Sequence, residues 1–251
     1  GFWVAAAIWI THSGGAGKVI AELMEEGATS LPIKGAEFSR LQPHTTSPSF
    51  VTARGAENYE TVYDIVHPRE PSRTQRNLRT SPYHEEQEEL GAEFFDSAGW
   101  ERPHWYDSNE KLLEEYDVPD RKGWNAKYWS PIEGAEHLAV RDGVGLFDAT
   151  ALSPIDVRGP DALEVVQRIF TNDLDTEVGQ ITYTLLVNER GGILGDMPVV
   201  RLDENHFRIV ASSGANGATQ YEKIRNRVST SEDVAIDNLT TDQTAVGLWG
   251  P

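Results

Sequence analysis

The chain contains no cysteine. That absence excludes disulfides, thiolate metal sites and a cysteine nucleophile, and it fits a reducing cytoplasm. Lysine is scarce too, supplying only 6 of the 22 basic residues. No apolar run approaches the roughly 18 residues that a membrane-spanning helix requires. The opening FWVAAAIWI is apolar, yet the first lysine is Lys18, so the basic flank of an export signal is missing. These gaps predict a cytoplasmic protein with no membrane partner and no metal site.

Acidic side chains take the place of the missing bases. With 40 acidic against 22 basic residues, the net charge is -18, which repels nucleic acid and anionic membranes over most of the surface. The balance suggests adaptation to high salt, where dense carboxylates keep a protein hydrated; an ordinary acidic bacterial protein fits the same numbers. A hydrophobic content of 39% in 251 residues is enough for a folded core. The chain starts in an apolar run at Gly1 and stops at Pro251 directly after AVGLWG. Both ends read as cuts through structure, so a piece of a longer protein is expected.

Along the chain, residues 1–10 read as a buried strand and residues 16–27 as a helix with Ala16, Val19, Ile20, Leu23 and Met24 at helical spacing. Between them, Thr11 to Gly17 form a glycine-rich bend at a helix N-terminus, where free N–H groups can meet an anionic or carbonyl-bearing ligand. A plain tight turn fits that bend equally, and neither a P-loop nor a G-x-G-x-x-G motif is present. From Leu31 to Pro82 the sequence is polar and rich in Pro, Arg and Ser, with helical periodicity only in AENYETVYDIV, where Tyr59, Val62, Tyr63 and Val66 share a side. The arginines from Arg69 to Arg79 suit salt bridging or a polyanion site. Trp100, Trp105, Trp124 and Trp129 fall within thirty residues of one another, a density that suits a stacking pocket or packing between domains.

The remainder alternates strand and helix. SPIEGAEHLAVRDG reads as a helix closed by Gly143, SPIDVRG as a strand, and PDALEVVQRIF as a helix with Leu163, Val166 and Phe170 inward. Residues 181–212 read as three antiparallel strands with turns at Arg190–Gly192 and Asp203–Asn205. ANGATQYEKIRNRV is a helix, and VAIDNL and TAVGLWG are strands. Meandering strands with helices interposed predict an α+β fold.

One residue disturbs the pattern. In LLVNERGGILGDMPVV, alternation puts Leu194, Asp196 and Val200 on one face, with Pro198 between them. Pro198 cannot donate to a ladder, so an edge or a bulge is expected there. An acid among apolar neighbours is costly unless paired, and burial would tune it toward use as a general base or a ligand acceptor. A surface Asp on the solvent side of an edge strand satisfies the same spacing.

Several stretches, taken together and in order, carry a family resemblance: WITHSGGAGKVIAELMEEG, NYETVYDIVHP, RNLRTSPY, ELGAEFFDSAGWERPHWY, YWSPIEGAEHLAVRDGVGLFDATALSPIDVRGPDAL and VGQITYTLLVNERGGILGD. The chain resembles the dimethylglycine oxidase, dimethylglycine dehydrogenase and sarcosine dehydrogenase family over nearly all its length. The resemblance implies that residues 1–34 end an FAD-dependent, D-amino-acid-oxidase-like α/β domain. It implies a short central module at 35–82, and the first, truncated part of an aminomethyltransferase domain like the glycine cleavage T-protein at 83–251.

In that family a small N-methylamine is oxidised at FAD, and its one-carbon unit passes to tetrahydrofolate to give 5,10-methylenetetrahydrofolate. Oxygen or an electron-transfer protein takes up the electrons. The resemblance assigns the acid that orients and deprotonates folate to Asp196, and the pterin contacts to Leu152, Tyr183 and Val210. It assigns the turn beneath the flavin to His12, Ser13, Gly14 and Gly15. The rest of the flavin and amine site lies outside these residues, so the chain alone is expected neither to hold FAD nor to oxidise amines. A catalytically silent folate-binding or interaction module and a free-standing aminomethyltransferase are the competing expectations.

Overall fold

The computed structural model describes residues 2–6, 9–27, 29–31 and 33–251. The chain divides into two compact units, Gly1–Arg40 and Leu41–Pro251.

In the first unit a 3-10 turn, Ile10–His12, runs straight into helix α1, Ser13–Glu26. The glycine-rich bend expected before the helix is therefore mostly helix, because Gly14, Gly15 and Gly17 lie inside α1. Gly27 ends it in the left-handed conformation at φ 72°, its N–H reaching the carbonyl of Leu23 at 3.2 Å. The strand expected over 1–10 is not formed by residues 2–6, and Phe2 is 94% exposed; Gly1, Ala7 and Ile8 lie outside the described residues. A strand needs a ladder partner, and the described residues of this unit offer none.

In the second unit a 3-10 turn, Pro43–Thr46, precedes α2, Pro48–Glu60. Ser47 caps it by accepting from the Phe50 N–H at 3.3 Å, and Pro48 occupies the first turn. The apolar periodicity of 56–66 predicts a helix further along the chain than the one observed. Capping and polar ties decide against that: Glu57 accepts from the backbone N–H groups of Arg73 and Thr74 at 2.6 and 2.9 Å, and Arg54 pairs with Asp96 at 2.9 Å. The helix stops at Glu60 and leaves Tyr63 exposed. The following arginines are salt-bridged, Arg69 to Glu133, Arg73 to Glu60 and Arg76 to Glu101.

A short helix α3, His84–Glu89, leads into a hairpin of β1, Ala92–Ser97, and β2, Trp100–Tyr106. Helix α4, Pro131–Asp142, begins with Ser130 accepting from the Ile132 N–H and closes at Gly143 as the sequence implies. Strand β3, Gly145–Asp148, pairs antiparallel with the last strand, Val246–Trp249.

The main sheet comprises β4 (Ser153–Arg158), β5 (Ile181–Val187), β6 (Ile193–Asp203), β7 (His206–Ala211) and β8 (Ala235–Asn238), in the order β5-β6-β7-β4-β8 with every pair antiparallel. The Val246–Trp249 strand is β9. Helices α5 (Ala162–Ile169) and α6 (Gly214–Arg225) pack on one face: α5 turns an apolar stripe of Ala162, Val165, Val166 and Ile169 to the sheet, whereas α6 buries Gly217, Thr219, Gln220 and Ile224. Ile155, Val157, Leu186, Met197, Val199, Phe207 and Ile209 meet Val165, Val166, Ile169 and Ile224 there. The approach is close enough that a side chain at Gly217 of α6 would strike the Ser212 carbonyl and Ser153.

Candidate functional site

The meander β5-β6-β7 positions the site. Asn188 tightens the first turn: its side-chain oxygen accepts from the Arg190 and Gly192 N–H groups at 3.0 and 2.7 Å, and Gly191 takes φ 76°. That turn fixes the register, with Leu185 opposite Asp196 and Tyr183 opposite Pro198. Alternation then sends Gly195, Met197 and Val199 into the core and leaves Leu194, Asp196, Pro198 and Val200 on the other face.

Asp196 is exposed, which corrects the expectation of a partly desolvated acid hemmed in by apolar neighbours. Helices α5 and α6 cover the opposite face of the sheet. What holds it is a partner. Tyr183, its diagonal neighbour across the ladder, donates its hydroxyl proton to the Asp196 carboxylate. That bond raises the Tyr183 phenol above its ordinary range, because ionising it would put two negative charges side by side.

Pro198 sits where the expectation needs qualification. Strand β6 is internal to the sheet, but its ladder with β7 begins only at Val199, so Asp196 and Pro198 lie on a stretch paired with β5 alone. The missing donor of Pro198 therefore costs no bond to β7. The register irregularities fall elsewhere, at Leu186/Val187 and Arg201/Asp203.

The other expected folate residues fall partly together. Val210 is half-buried in β7 opposite Pro154, on the face it shares with Arg208 and Asp156. Leu152 is half-buried one residue before β4, in a turn where its N–H reaches the Ala149 carbonyl at 3.0 Å. Ile181 and Tyr183, 65% and 62% exposed, complete a broad apolar surface with Leu185, Leu194 and Val200. A contiguous apolar face of this kind suits a flat ligand or a covering protein surface.

Next to that surface lies a charged row that the sequence did not reveal. Asp156, 3% exposed, accepts two hydrogen bonds from Arg208, at 2.7 and 2.9 Å, and one contact from the His206 ring at 2.8 Å. Burial works to raise this carboxyl, but the bonds from Arg208 and His206 outweigh it and hold it below the usual carboxylate range. The residues stand side by side only because Asp156 is the register partner of Arg208. Spacing in the sequence carries no sign of that.

The expected flavin residues lie in the first unit. His12 closes the 3-10 turn, Ser13 donates from its hydroxyl to the Ile10 carbonyl at 2.7 Å, and Gly14 and Gly15 form the first turn of α1. All four are exposed. The first-turn N–H groups of a helix lack intrahelical partners and face outward with the positive end of the dipole. The four tryptophans do not converge on one stacking pocket: Trp100 is buried under Arg79, Trp105 lies edge-on to His104, Trp124 meets His67 at 4.3 Å between ring centres with the planes tilted, and Trp129 lies under Arg121. Among the described residues no helix is long and apolar enough to cross a membrane, and no cluster of His, Asp and Glu suits a metal ion.

Comparison with known proteins gives this geometry a family. Residues 83–251 match the GCVT N-terminal domain, and residues 26–81 match the FAD dependent oxidoreductase central domain. A 4-methylaminobutanoate oxidase (formaldehyde-forming) of Paenarthrobacter nicotinovorans is 32% identical over 96% of this chain and 28% of its own length. The mitochondrial pyruvate dehydrogenase phosphatase regulatory subunit of Mus musculus is 28% identical over 100% of the chain and 29% of its own. The chain thus spans less than a third of either relative. The crystal structure of the glycine cleavage system aminomethyltransferase T from Bartonella henselae superposes with a TM-score of 0.54 at 28% identity, over 70% of this chain and 41% of that one. The chain belongs to the family in which an FAD dependent oxidoreductase central domain is followed by a GCVT, aminomethyltransferase-type domain.

Proposed function

We propose that the chain is part of a bifunctional FAD-dependent N-methylamine oxidase or dehydrogenase, acting on dimethylglycine or sarcosine, that delivers the one-carbon unit to tetrahydrofolate. The observation that carries the reading is the Tyr183–Asp196 hydrogen bond on an apolar sheet face free of the core helices. FAD, when bound to the protein that carries this chain, supplies the oxidation of the amine to an iminium. His12, Ser13, Gly14 and Gly15 would lie beneath it, with the N-terminus of α1 favouring negative charge on the reduced ring.

On the folate face, the pterin would pack on Tyr183, Val210 and Leu152 while the Asp196 carboxylate accepts a hydrogen bond from a folate N–H. Attack by that nitrogen on the iminium carbon forms a C–N bond, and its proton passes to Asp196. The demethylated amine then leaves with the proton held by Asp196 as its C–N bond breaks, generating a folate iminium; the second folate nitrogen attacks that carbon and gives up its own proton to Asp196, closing the ring of 5,10-methylenetetrahydrofolate. Tyr183 keeps the carboxylate oriented for this exchange. A cytoplasmic setting and a salt-adapted surface are part of the same proposal, supported by the absence of cysteine and the charge of -18.

Two names among the relatives sharpen the test. A formaldehyde-forming oxidase implies that the iminium can instead meet water, giving amine and formaldehyde. A regulatory subunit supports a silent interaction module, a reading the exposure of Asp196 also favours. The test is the ratio of methylenetetrahydrofolate to formaldehyde per amine oxidised. Tyr183→Phe, which frees the carboxylate to rotate, is expected to lower folate transfer about tenfold and leave amine oxidation unchanged. Formaldehyde as the sole product of the unaltered protein in saturating tetrahydrofolate would defeat the reading.

A further inference from the structure

A concavity of about 530 Å³ opens where residues 67–69 meet the 120–125 loop, within the second unit. His67, Arg69, Asp120, Arg121, Lys122 and Trp124 line it. We propose that this cavity is a binding site for a small organic anion, a carboxylate or phosphate carried on a flat apolar body. The proposal stands independently of the folate reading.

Charge is the first argument. In a chain of net charge -18, three cations against one carboxylate at a single concave site run counter to the surface as a whole. Arg69 is held in place by Glu133 at 2.5 Å and by the His104 ring at 3.2 Å, so its charge is largely matched. Arg121 and Lys122 have no ion pair among the described residues. They stand at the rim beside Asp120, while the Glu70 carboxylate is turned to the His67 N–H at 3.4 Å.

Order at the cavity wall is the second argument. His67 is 7% exposed, its Nδ1 accepts from the Arg69 N–H at 3.1 Å, and its ring packs against Trp124 and Tyr128 at 4.3 and 5.4 Å between centres. Tyr128 holds φ 53°, a left-handed conformation that a bulky side chain adopts only where its surroundings fix it. Trp124 itself stays 46% exposed, offering a free ring face. The Arg121 guanidinium lies 4.5 Å from the centre of the Trp129 ring, a cation–π contact that anchors it, and none of its N–H groups is taken up by an ion pair among the described residues. A flat body on Trp124 with an acidic group at Arg121 and Lys122 uses both features at once.

The test titrates the whole chain with benzoate and with phenyl phosphate by calorimetry, with acetate and inorganic phosphate as ringless controls. Saturable binding at one site is expected for at least one aromatic probe, tighter than for its ringless control and weaker in high salt. Tighter benzoate would identify a carboxylate ligand, and tighter phenyl phosphate a phosphate ester. The double change Arg121→Glu with Lys122→Glu is expected to weaken binding at least about tenfold, and Trp124→Ala to erase the preference for the ringed probe. Asp120→Asn, which removes the opposing charge, is expected to tighten binding, a gain that a folding defect cannot mimic. Absence of saturable binding, or binding indifferent to the charge reversal and to Asp120→Asn, would overturn the proposal.

Discussion

Asp196→Asn is expected to cut the formation of methylenetetrahydrofolate at least about 100-fold while amine oxidation at the flavin proceeds at its usual rate. Asparagine keeps the size of the side chain and an oxygen that can still accept from Tyr183, so the sheet face retains its shape. The substitution removes the capacity to take a proton from the attacking folate nitrogen. One-carbon units released at the flavin would then appear as formaldehyde. A silent module predicts the opposite, with no product of this assay changing, since an acid exposed on a surface does no work there. Rapid-quench analysis of folate products beside oxygen or electron-acceptor consumption separates the two.

Arg76→Met is expected to destabilise the second unit by about 3–5 kcal/mol, the range for a buried ion pair that loses one partner. Glu101 is 4% exposed, and Arg76 reaches it at 2.8 Å through Nε, with the Asn77 N–H donating to the same oxygen at 2.8 Å. Burial pushes the Glu101 carboxyl up, but these bonds outweigh it and hold the group below its ordinary range. A carboxylate whose folded pKa is depressed stabilises the protein fully above its unfolded pKa and loses that contribution as pH falls through the folded value. Without Arg76 the charged form is disfavoured, and acid relieves the penalty by protonating it. The gap between the two proteins in urea unfolding should therefore be widest near neutral pH and narrow on acidification. A gap under about 1 kcal/mol at pH 7, or one that widens in acid, would show that Arg76 is not what compensates Glu101.

Much of the second unit was legible from pattern because local chemistry and tertiary packing agree there. The 153–158 strand, the helix closed by Gly143 and both turns of the 181–212 meander follow from alternation and turn residues alone. The α2 helix was misplaced because apolar periodicity at 56–66 competes with a Ser47–Pro48 start and with side-chain ties to Arg73 and Thr74, whose partners lie far along the chain. The expected strand at the start failed for a related reason: a strand is defined by its neighbour, and the described residues of that unit supply none.

The candidate site was legible in a different sense. Period-two spacing correctly put Asp196 on the face of Leu194 and Val200, but spacing cannot tell which face the helices cover. That choice is made by Val165, Val166 and Ile224, which lie outside the strand, and it leaves Asp196 exposed. The Asp156–Arg208–His206 cluster was invisible for the same reason, being a product of β4–β7 register rather than of sequence proximity. Arg121, Lys122 and Trp124 carried a readable signal, adjacent cations beside an aromatic in a chain short of lysine, though only the fold brings His67 to them.

The most direct test of the folate assignment is hydrogen–deuterium exchange with and without tetrahydrofolate, read by peptide across the protein that carries this chain. Slowed exchange concentrated in 181–187 and 193–200 is the predicted outcome, since a pterin seated over Tyr183 and Asp196 would stabilise the outer pair of strands. Folate binding that protects other segments and leaves these two strands unchanged would contradict it.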